Sequence, residues 1–317
     1  MLNDVARETG ADEQGAVEDE GPVVRAAESL LDVYARLGRT LEQGSVASAL
    51  EELGSRDSGD LDDFGYDANF DHALRPLLRF LYRSWWRVET AGLENVPTNG
   101  PVILVANYSG TLFAYDGAML RFAVAEDHGA RRSVRPLLDQ GVYDLPVLGD
   151  VMARCGGVRA SDENGESLLA RDAVVAYFPE GGGGLGRPFR RRYELDSFGD
   201  GGFVRAALRS GAPVVPVAIV GAEETHPVLG RLDWVARKIG MPVVPVTPTF
   251  PWLGLGGLLP LPSRWRIEFG TPMADFAELG PQAAGDGVQV TRLTERTRSR
   301  VASLVQGAVD RRGRAFF

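Results

Sequence analysis

From Val102 onward, short apolar runs alternate with stretches whose apolar residues recur at helical spacing. The runs at 102–106, 133–138, 173–178, 214–220 and 265–269, and a weaker one at 243–247, predict strands. The spacing at 116–127, 145–153, 164–170, 201–210, 231–239 and 289–311 predicts helices. This alternation predicts an α/β fold, a mainly parallel central sheet flanked by helices. No internal repeat interrupts it.

The pattern before Val102 is different. Residues 1–23 are polar and acidic and read as a disordered leader. In residues 24–66, helical spacing at 24–38 and weakly at 46–53 is followed by a linker at 54–66, giving an N-terminal helical extension. The main domain is expected over 67–317. It begins with residues 71–88, where Leu74, Leu77, Leu78, Leu81, Trp85 and Val88 share a face and Arg75, Arg79, Arg83 and Arg87 recur every four residues. Apolar face, Arg stripe and tryptophans suggest a helix at a membrane surface, or an ordinary helix packed on the domain with its arginines outward. Pro76 is expected only in the first turn.

Residues 241–263 carry no charge and are long enough to cross a bilayer, but six prolines refuse a helix there. The portion FPWLGLGGLLPLP is either buried or a loop that enters lipid shallowly.

Composition narrows the setting. A single cysteine, Cys155, excludes an intrachain disulfide framework and fits a reducing compartment. Three dispersed histidines argue against a zinc site. The net charge of −9 belongs to the N-terminus, because residues 1–63 hold 16 acids and 5 bases. The acidic start lacks the apolar stretch of a secretory signal.

Three segments carry candidate chemistry. In PVILVANYSGTLFAYDGAML (101–120) a predicted strand, a polar loop and a helix start succeed one another, a usual place for function. In YFPEGGGGLGRPFRRRY (177–193) a glycine run lets backbone approach a ligand closely. Gly181, Gly183 and Gly186 match GxGxxG, but Arg187-Pro188 stands where a dinucleotide fingerprint needs a helix. Arg187, Arg190, Arg191 and Arg192 have the chemistry to meet phosphate, or form a basic loop facing solvent or acidic headgroups. In GAPVVPVAIVGAEETHPVL (211–229) Glu223, Glu224 and His226 follow a strand end, with His226 either functional or a turn residue. Ser109, Asp116 and His226 occur in hydrolase-triad order, without a GxSxG elbow.

Together, VANYSGTLFAYDGAML, CGGVRASDENGESLL, VVAYFPEGG, RRYELDSFGDGGFVRAAL, GAPVVPVAIVGAEETHP and PVTPTFPWLGLGGLLPLPSRWRIEFG resemble the lysophospholipid/glycerolipid acyltransferase superfamily. Within it the chain is similar to 1-acylglycerol-3-phosphate acyltransferase-like proteins and to the bacterial monoacylglycerol acyltransferase-like branch. The resemblance runs from Leu93 to Met273 through the family's NHxxxxD and FPEG blocks. It implies transfer of a fatty acyl group from acyl-CoA or acyl-ACP as co-substrate to a lysophospholipid or other glycerolipid hydroxyl. No bound cofactor or metal and no nucleic-acid partner are expected, and peripheral attachment to the inner, cytoplasmic face of a membrane is expected through the 71–88 helix and the 250–262 loop.

By the same resemblance Asp116 is the orienting acid, and Phe178, Pro179, Glu180 and Gly181 form the acceptor block. Asn107, Ser109 and Gly110 join them from the NHxxxxD block, and Arg159 is expected near phosphate; because the FPEG block lacks a directly following Arg-Ser, either Arg187 or Arg190 takes that part or the acceptor is not phosphorylated. Tyr108 stands at the base position where the family has histidine, and seven residues separate it from Asp116 where the motif has four. At neutral pH about one in a thousand ordinary tyrosines is ionised, so Tyr108 is a poor base. Three readings follow. His226 or His128 substitutes as base, a slow enzyme relies on positioning and the Tyr108 hydroxyl, or the chain is a catalytically impaired, membrane-associated lipid-binding homologue.

Overall fold

The computed structural model describes residues 61–109, 115–145, 147–184, 186–239, 243–254, 257 and 259–316. The leader and the helices expected at 24–38 and 46–53 lie outside the described residues.

The sheet is built from apolar runs whose side chains are buried on both faces, as parallel strands require. After α1 (Ala68–Phe80) and β1 (Glu89–Ala91), the chain forms β2 (Val102–Ala106), α2 (Tyr115–Asp127) and β3 (Val134–Leu138). Two short helices, α3 (Gln140–Tyr143) and α4 (Leu148–Arg154), lead through β4 (Val158–Arg159) to α5 (Asp162–Leu169) and β5 (Val174–Tyr177). Then come α6 (Gly202–Ser210), β6 (Val214–Val220), and a small ribbon of β7 (Gly230–Arg231) and β8 (Pro245–Val246) joined through α7 (Asp233–Ile239). The chain returns through β9 (Arg266–Phe269) and closes with α8 (Gly287–Arg312). Strand order is β1-β9-β6-β2-β5-β3-β4, parallel throughout except where β9 runs against β6.

The sheet therefore matches the expected mainly parallel architecture, with β2 at its centre. All five β2 residues are fully buried. Each Val, Leu or Ile so buried contributes roughly 1.5–3 kcal/mol. Helices α5, α6 and α8 supply Leu168, Phe203, Val204, Leu293 and Val301 to one core layer against it. Neither β4 nor α3 is expected from the sequence, because two and four residues are too few to show a period.

The segment 71–88 corrects one expectation. Trp85 and Trp86 are 1% and 0% exposed, so they are core residues and not membrane anchors. Trp86 stacks on Trp265 at 4.7 Å and meets Tyr115 at 5.0 Å, and its indole N–H donates to the Leu261 carbonyl at 3.2 Å. The Arg stripe is held by acids of α2. Arg75 and Arg79 pair with Glu126 at 2.6 and 3.1 Å, and Arg83 pairs with Asp127. Pro76 lies inside α1, where it leaves the His72 carbonyl without its helical donor. Past Phe80 the helix continues as a π-turn over Leu81–Trp85.

Residues 61–66, expected as the end of a linker, are also packed on the domain. Asp62 pairs with Arg135 at 2.5 Å, and Phe64 and Tyr66 lie against the same guanidinium. Asp67 caps α1 by accepting from the Asn69 and Phe70 amides, and it pairs with Arg154 at 2.9 Å. Among the described residues no helix is long and apolar enough to cross a membrane.

These contacts predict opposite outcomes for two changes in one segment. Trp86→Ala should destabilise the fold by about 3–5 kcal/mol in urea unfolding, from lost burial and stacking. Arg79→Ala should change it by less than about 1 kcal/mol, because its pair with Glu126 is exposed.

Candidate active site at the carboxyl ends of the central strands

Parallel strands direct their carboxyl ends to one edge of the sheet, and ligands of open α/β folds bind there. Here that edge gathers Asn107–Ser109 after β2, Asp139 after β3, Phe178–Gly181 after β5 and Gly221–Glu224 after β6. Asn107 acts as a splint. Its amide nitrogen donates to the Ile219 carbonyl at 2.8 Å, and its oxygen accepts the Ile219 amide at 2.7 Å. It thus joins β2 to β6.

Glu180 joins the next pair of loops. Its buried carboxylate accepts the Tyr108 amide at 2.7 Å and the Asp196 amide at 2.8 Å, and binds Arg187. Arg187 also pairs with Asp196 at 3.0 Å and donates to the Tyr108 carbonyl at 3.0 Å. The expected phosphate ligand is therefore engaged by two acids. Arg159, the other one, is paired with Asp144 at 2.5 Å.

Asp116, in the first turn of α2, is 1% exposed. The Ser109 hydroxyl donates to its Oδ2 at 2.7 Å, while its Oδ1 is buried with no hydrogen-bond partner among the described residues. Gly110 and the rest of 110–114 lie outside the described residues. Burial pushes the Asp116 carboxyl up to about 7; hydrogen bonds from Ser109 oppose the rise and the Glu180 charge adds to it. Buried Glu223 nearby is also held well above the usual carboxylate range, by burial and by the charges of Glu224 and Asp116.

Tyr108 packs edge-on against Phe178 at 6.3 Å, in an apolar cluster with Leu145 and Val243. Burial, with Asp116 and Asp139 adding to it, raises its phenol well above 10, so it remains a protonated O–H group. His226 lies parallel to the Tyr115 ring at 6.0 Å. His128 lies beyond the far end of α2, where its Nε2 meets the Val96 carbonyl at 3.0 Å. Twelve residues of helix at about 1.5 Å each put it about 18 Å from Asp116, which removes it as a substitute base.

A cavity of about 30 Å³ is lined by Tyr108, Asp116, Asp139, Phe178, Gly181 and Gly182. Its wall residues Gly117 and Leu138 also line an apolar pocket of about 290 Å³ between α1, α2 and α4, with Leu77, Leu81, Met119, Val151 and Met152. Gly117 sits at the junction, and a Cβ there would come within 3.2 Å of Pro136. On the other side, Asp139, Phe178 and Gly181 also line a pocket of about 220 Å³. The sequence reading missed Asp139. Its place just past a strand end, in LLDQG, was the available signal. No group of three or more His, Cys, Asp or Glu among the described residues is placed to hold a metal ion.

The carboxyl edge of this α/β sheet thus holds a buried acid between an apolar pocket and a glycine loop. Residues 87–220 match the acyltransferase family. An uncharacterized protein of Mycobacterium tuberculosis is 43% identical over 277 residues, covering 86% of this chain and 76% of that protein. One from Mycobacterium leprae is 43% identical over the same length and covered for 74%. Among solved structures, the 1-acyl-sn-glycerophosphate acyltransferase PlsC of Thermotoga maritima is similar over 92% of this chain and 100% of its own, with 15% identity and a TM-score of 0.46. The chain belongs to the acyltransferase family.

The raised Asp116 carboxyl gives stability a definite pH dependence. The native state keeps this proton up to about 7, whereas the unfolded chain loses it near 3.8. Over that window the native state binds more protons, so the Asp116 contribution falls as pH rises and levels off above 7. Asp116→Asn should remove this decline in urea unfolding followed across the window; an unchanged slope would contradict the burial of an ionisable group here.

Proposed function

We propose that the protein transfers a fatty acyl group from an acyl-CoA or acyl-ACP thioester to a glycerolipid hydroxyl, with Asp116 as general base. One observation carries the reading: Oδ1 of buried Asp116, without a hydrogen-bond partner among the described residues, lines a small cavity with Phe178 and Gly181 that shares Gly117 and Leu138 with an apolar pocket. Histidine is the family's base, and Tyr108, protonated, cannot fill that role.

The apolar pocket takes the acyl chain and places its carbonyl in the small cavity. The acceptor hydroxyl donates to Asp116 Oδ1, and its oxygen attacks the thioester carbonyl carbon as the proton moves to the carboxylate. Tyr108 donates its O–H to the oxyanion that forms. Collapse of the tetrahedral intermediate breaks the C–S bond, and the departing thiolate takes the proton back from Asp116. Ser109 holds Oδ2 and so fixes which oxygen faces the acceptor. A second reading, lipid binding without turnover, draws its support from the missing histidine alone.

The site works at an anionic membrane surface, on the cytoplasmic inner face. Support comes from the segment between β6 and β9. Trp234 and Trp252 are 66% and 74% exposed, and Leu229, Leu253 and Leu259 are exposed with them. Between residues 228 and 262 the bases Arg231, Arg237 and Lys238 face a single acid, Asp233. Val243 of the same segment packs on Tyr108, so its inner side covers the site. Amphipathic tryptophans with basic neighbours suit the headgroup region.

Two measurements test these readings. With a radiolabelled acyl donor and monoacylglycerol, kcat/KM should rise with pH through about 7. Asp116→Asn should lower it by about 10²–10⁴ and abolish that rise, while Tyr108→Phe should lose about 10² and keep it. Binding of labelled lipid with no Asp116-dependent product would favour the second reading. In vesicle flotation, Trp234→Ser/Trp252→Ser should lose most binding to phosphatidylglycerol-containing vesicles, and Trp85, being buried, should stay unquenched by brominated lipid. Undiminished flotation of that double variant would remove the docking surface.

A further inference from the structure

We infer that Arg87 and Arg264 form a binding site for a phosphate group, set apart from the cavities around Asp116. Neither arginine lines those cavities, so the site is distinct from both the apolar pocket and the Phe178–Gly181 loop. The inference does not depend on the acyl-transfer reading.

Backbone pairing builds the site. Trp265 donates its amide to the Trp86 carbonyl at 3.0 Å, and its own carbonyl accepts the Glu89 amide at 3.0 Å. Arg87 and Val88 together therefore face Trp265, one residue more than a regular parallel ladder allows. Such a bulge re-aims a side chain. Arg87 absorbs the extra residue with a φ of 45°, a left-handed conformation that costs a non-glycine residue energy. Across the ladder the Arg264 backbone is held on both sides. Its amide donates to the Ala315 carbonyl at 2.9 Å, and its carbonyl accepts from Arg312 at 3.3 Å. A Cβ on Gly221 would come within 2.3 Å of that carbonyl, so Arg264 lies against the end of β6.

The two guanidiniums lack an anion. Nε and Nη2 of Arg87 and Nε of Arg264 are buried and make no hydrogen bond among the described residues. Folded proteins rarely leave buried donors so, and here they lie on two neighbouring side chains. Burial, and after it the like charge of Arg264, hold Arg87 below the usual guanidinium range. The acids of the adjoining elements are already paired: Glu89 and Glu268 with Arg266 at 3.1 and 2.5 Å, Glu224 with Arg312 at 3.0 Å, and Asp127 with Arg83.

A bound anion relieves both the repulsion and the unmet donors. Phosphate suits best, because its oxygens accept from two guanidinium forks at once and its charge offsets both. Both arginines are half-buried, so each keeps a face to solvent by which phosphate enters. Arg264 directly follows the segment that carries Trp234 and Trp252, and the Trp86 indole is bonded to Leu261 at the end of that segment. A lipid head group and a soluble phosphate both present the required chemistry there.

Thermal unfolding of the full chain at matched ionic strength, in inorganic phosphate against chloride, tests the site without requiring turnover. Phosphate should raise Tm by binding the native state. Arg87→Gln and Arg264→Gln should each weaken the apparent phosphate affinity about tenfold, the scale of a lost charged hydrogen-bond partner. Arg209→Gln, which removes an exposed arginine paired with Glu166, should leave it unchanged. The same three variants are then compared in flotation with phosphatidylglycerol vesicles. Flotation lost in the first two variants and kept in the third assigns the site to a lipid head group. An effect confined to inorganic phosphate assigns it to a soluble ligand. If neither the phosphate response nor flotation distinguishes Arg87→Gln and Arg264→Gln from Arg209→Gln, the inference is overturned.

Discussion

The Glu180 carboxylate is the constraint on which the site depends. It is removed from water and binds two backbone amides from different loops together with one guanidinium. Burying such a charge is favourable only when its partners are complete, and deleting one partner of a buried pair typically costs about 3–5 kcal/mol. The arrangement ties the loop after β2 to the loop after β5 and to the chain leading into α6. Asn107 does the same between β2 and β6 with neutral hydrogen bonds. These two side chains fix the backbone on both sides of Tyr108. Glu180 and Arg187 therefore shape the floor of the site.

That division explains how a family member can carry tyrosine where histidine is the rule. The loop anchors need only the Tyr108 backbone, its amide to Glu180 and its carbonyl to Arg187. The side chain is free to change without disturbing them, and here it fills an apolar cluster with Leu145, Phe178 and Val243. Removing the imidazole also removes a cation that would pair with Asp116. The carboxyl is left to burial, which raises it into the range where a carboxylate accepts a proton near neutral pH.

Charge follows the same economy across the domain. Arginines that a linear reading offers to phosphate or lipid are used internally, on α1 against α2 and at Arg187 against Glu180, and Arg312 likewise closes α8 onto Glu224 at 3.0 Å and Tyr193 at 2.7 Å. Trp234 and Trp252 face outward on the segment that also carries Arg231, Arg237 and Lys238. The pocket beside Asp139 is lined by acids, and the apolar pocket lies between α1, α2 and α4.

The sequence by itself determined the α/β class, the strands around β2 and the two motif blocks, because period and strong backbone propensity are local properties. It located Asp116, Ser109 and the Phe178–Gly181 loop, since each sits at a strand or helix end that the pattern marks. It could not decide which arginines were free, because pairing depends on residues brought together from distant positions, as Arg187 with Asp196 and Arg75 with Glu126. It left the 71–88 helix between a membrane surface and the domain for the same reason: only the arrival of Trp265 and Tyr115 around Trp86 makes that face a core. Asp139, His128 and His226 were likewise placed by packing alone. The VANYSGTLFAYD segment announced a site; the tertiary structure decided that Asp116 is buried there with one oxygen that has no hydrogen-bond partner among the described residues, as has Glu223 nearby.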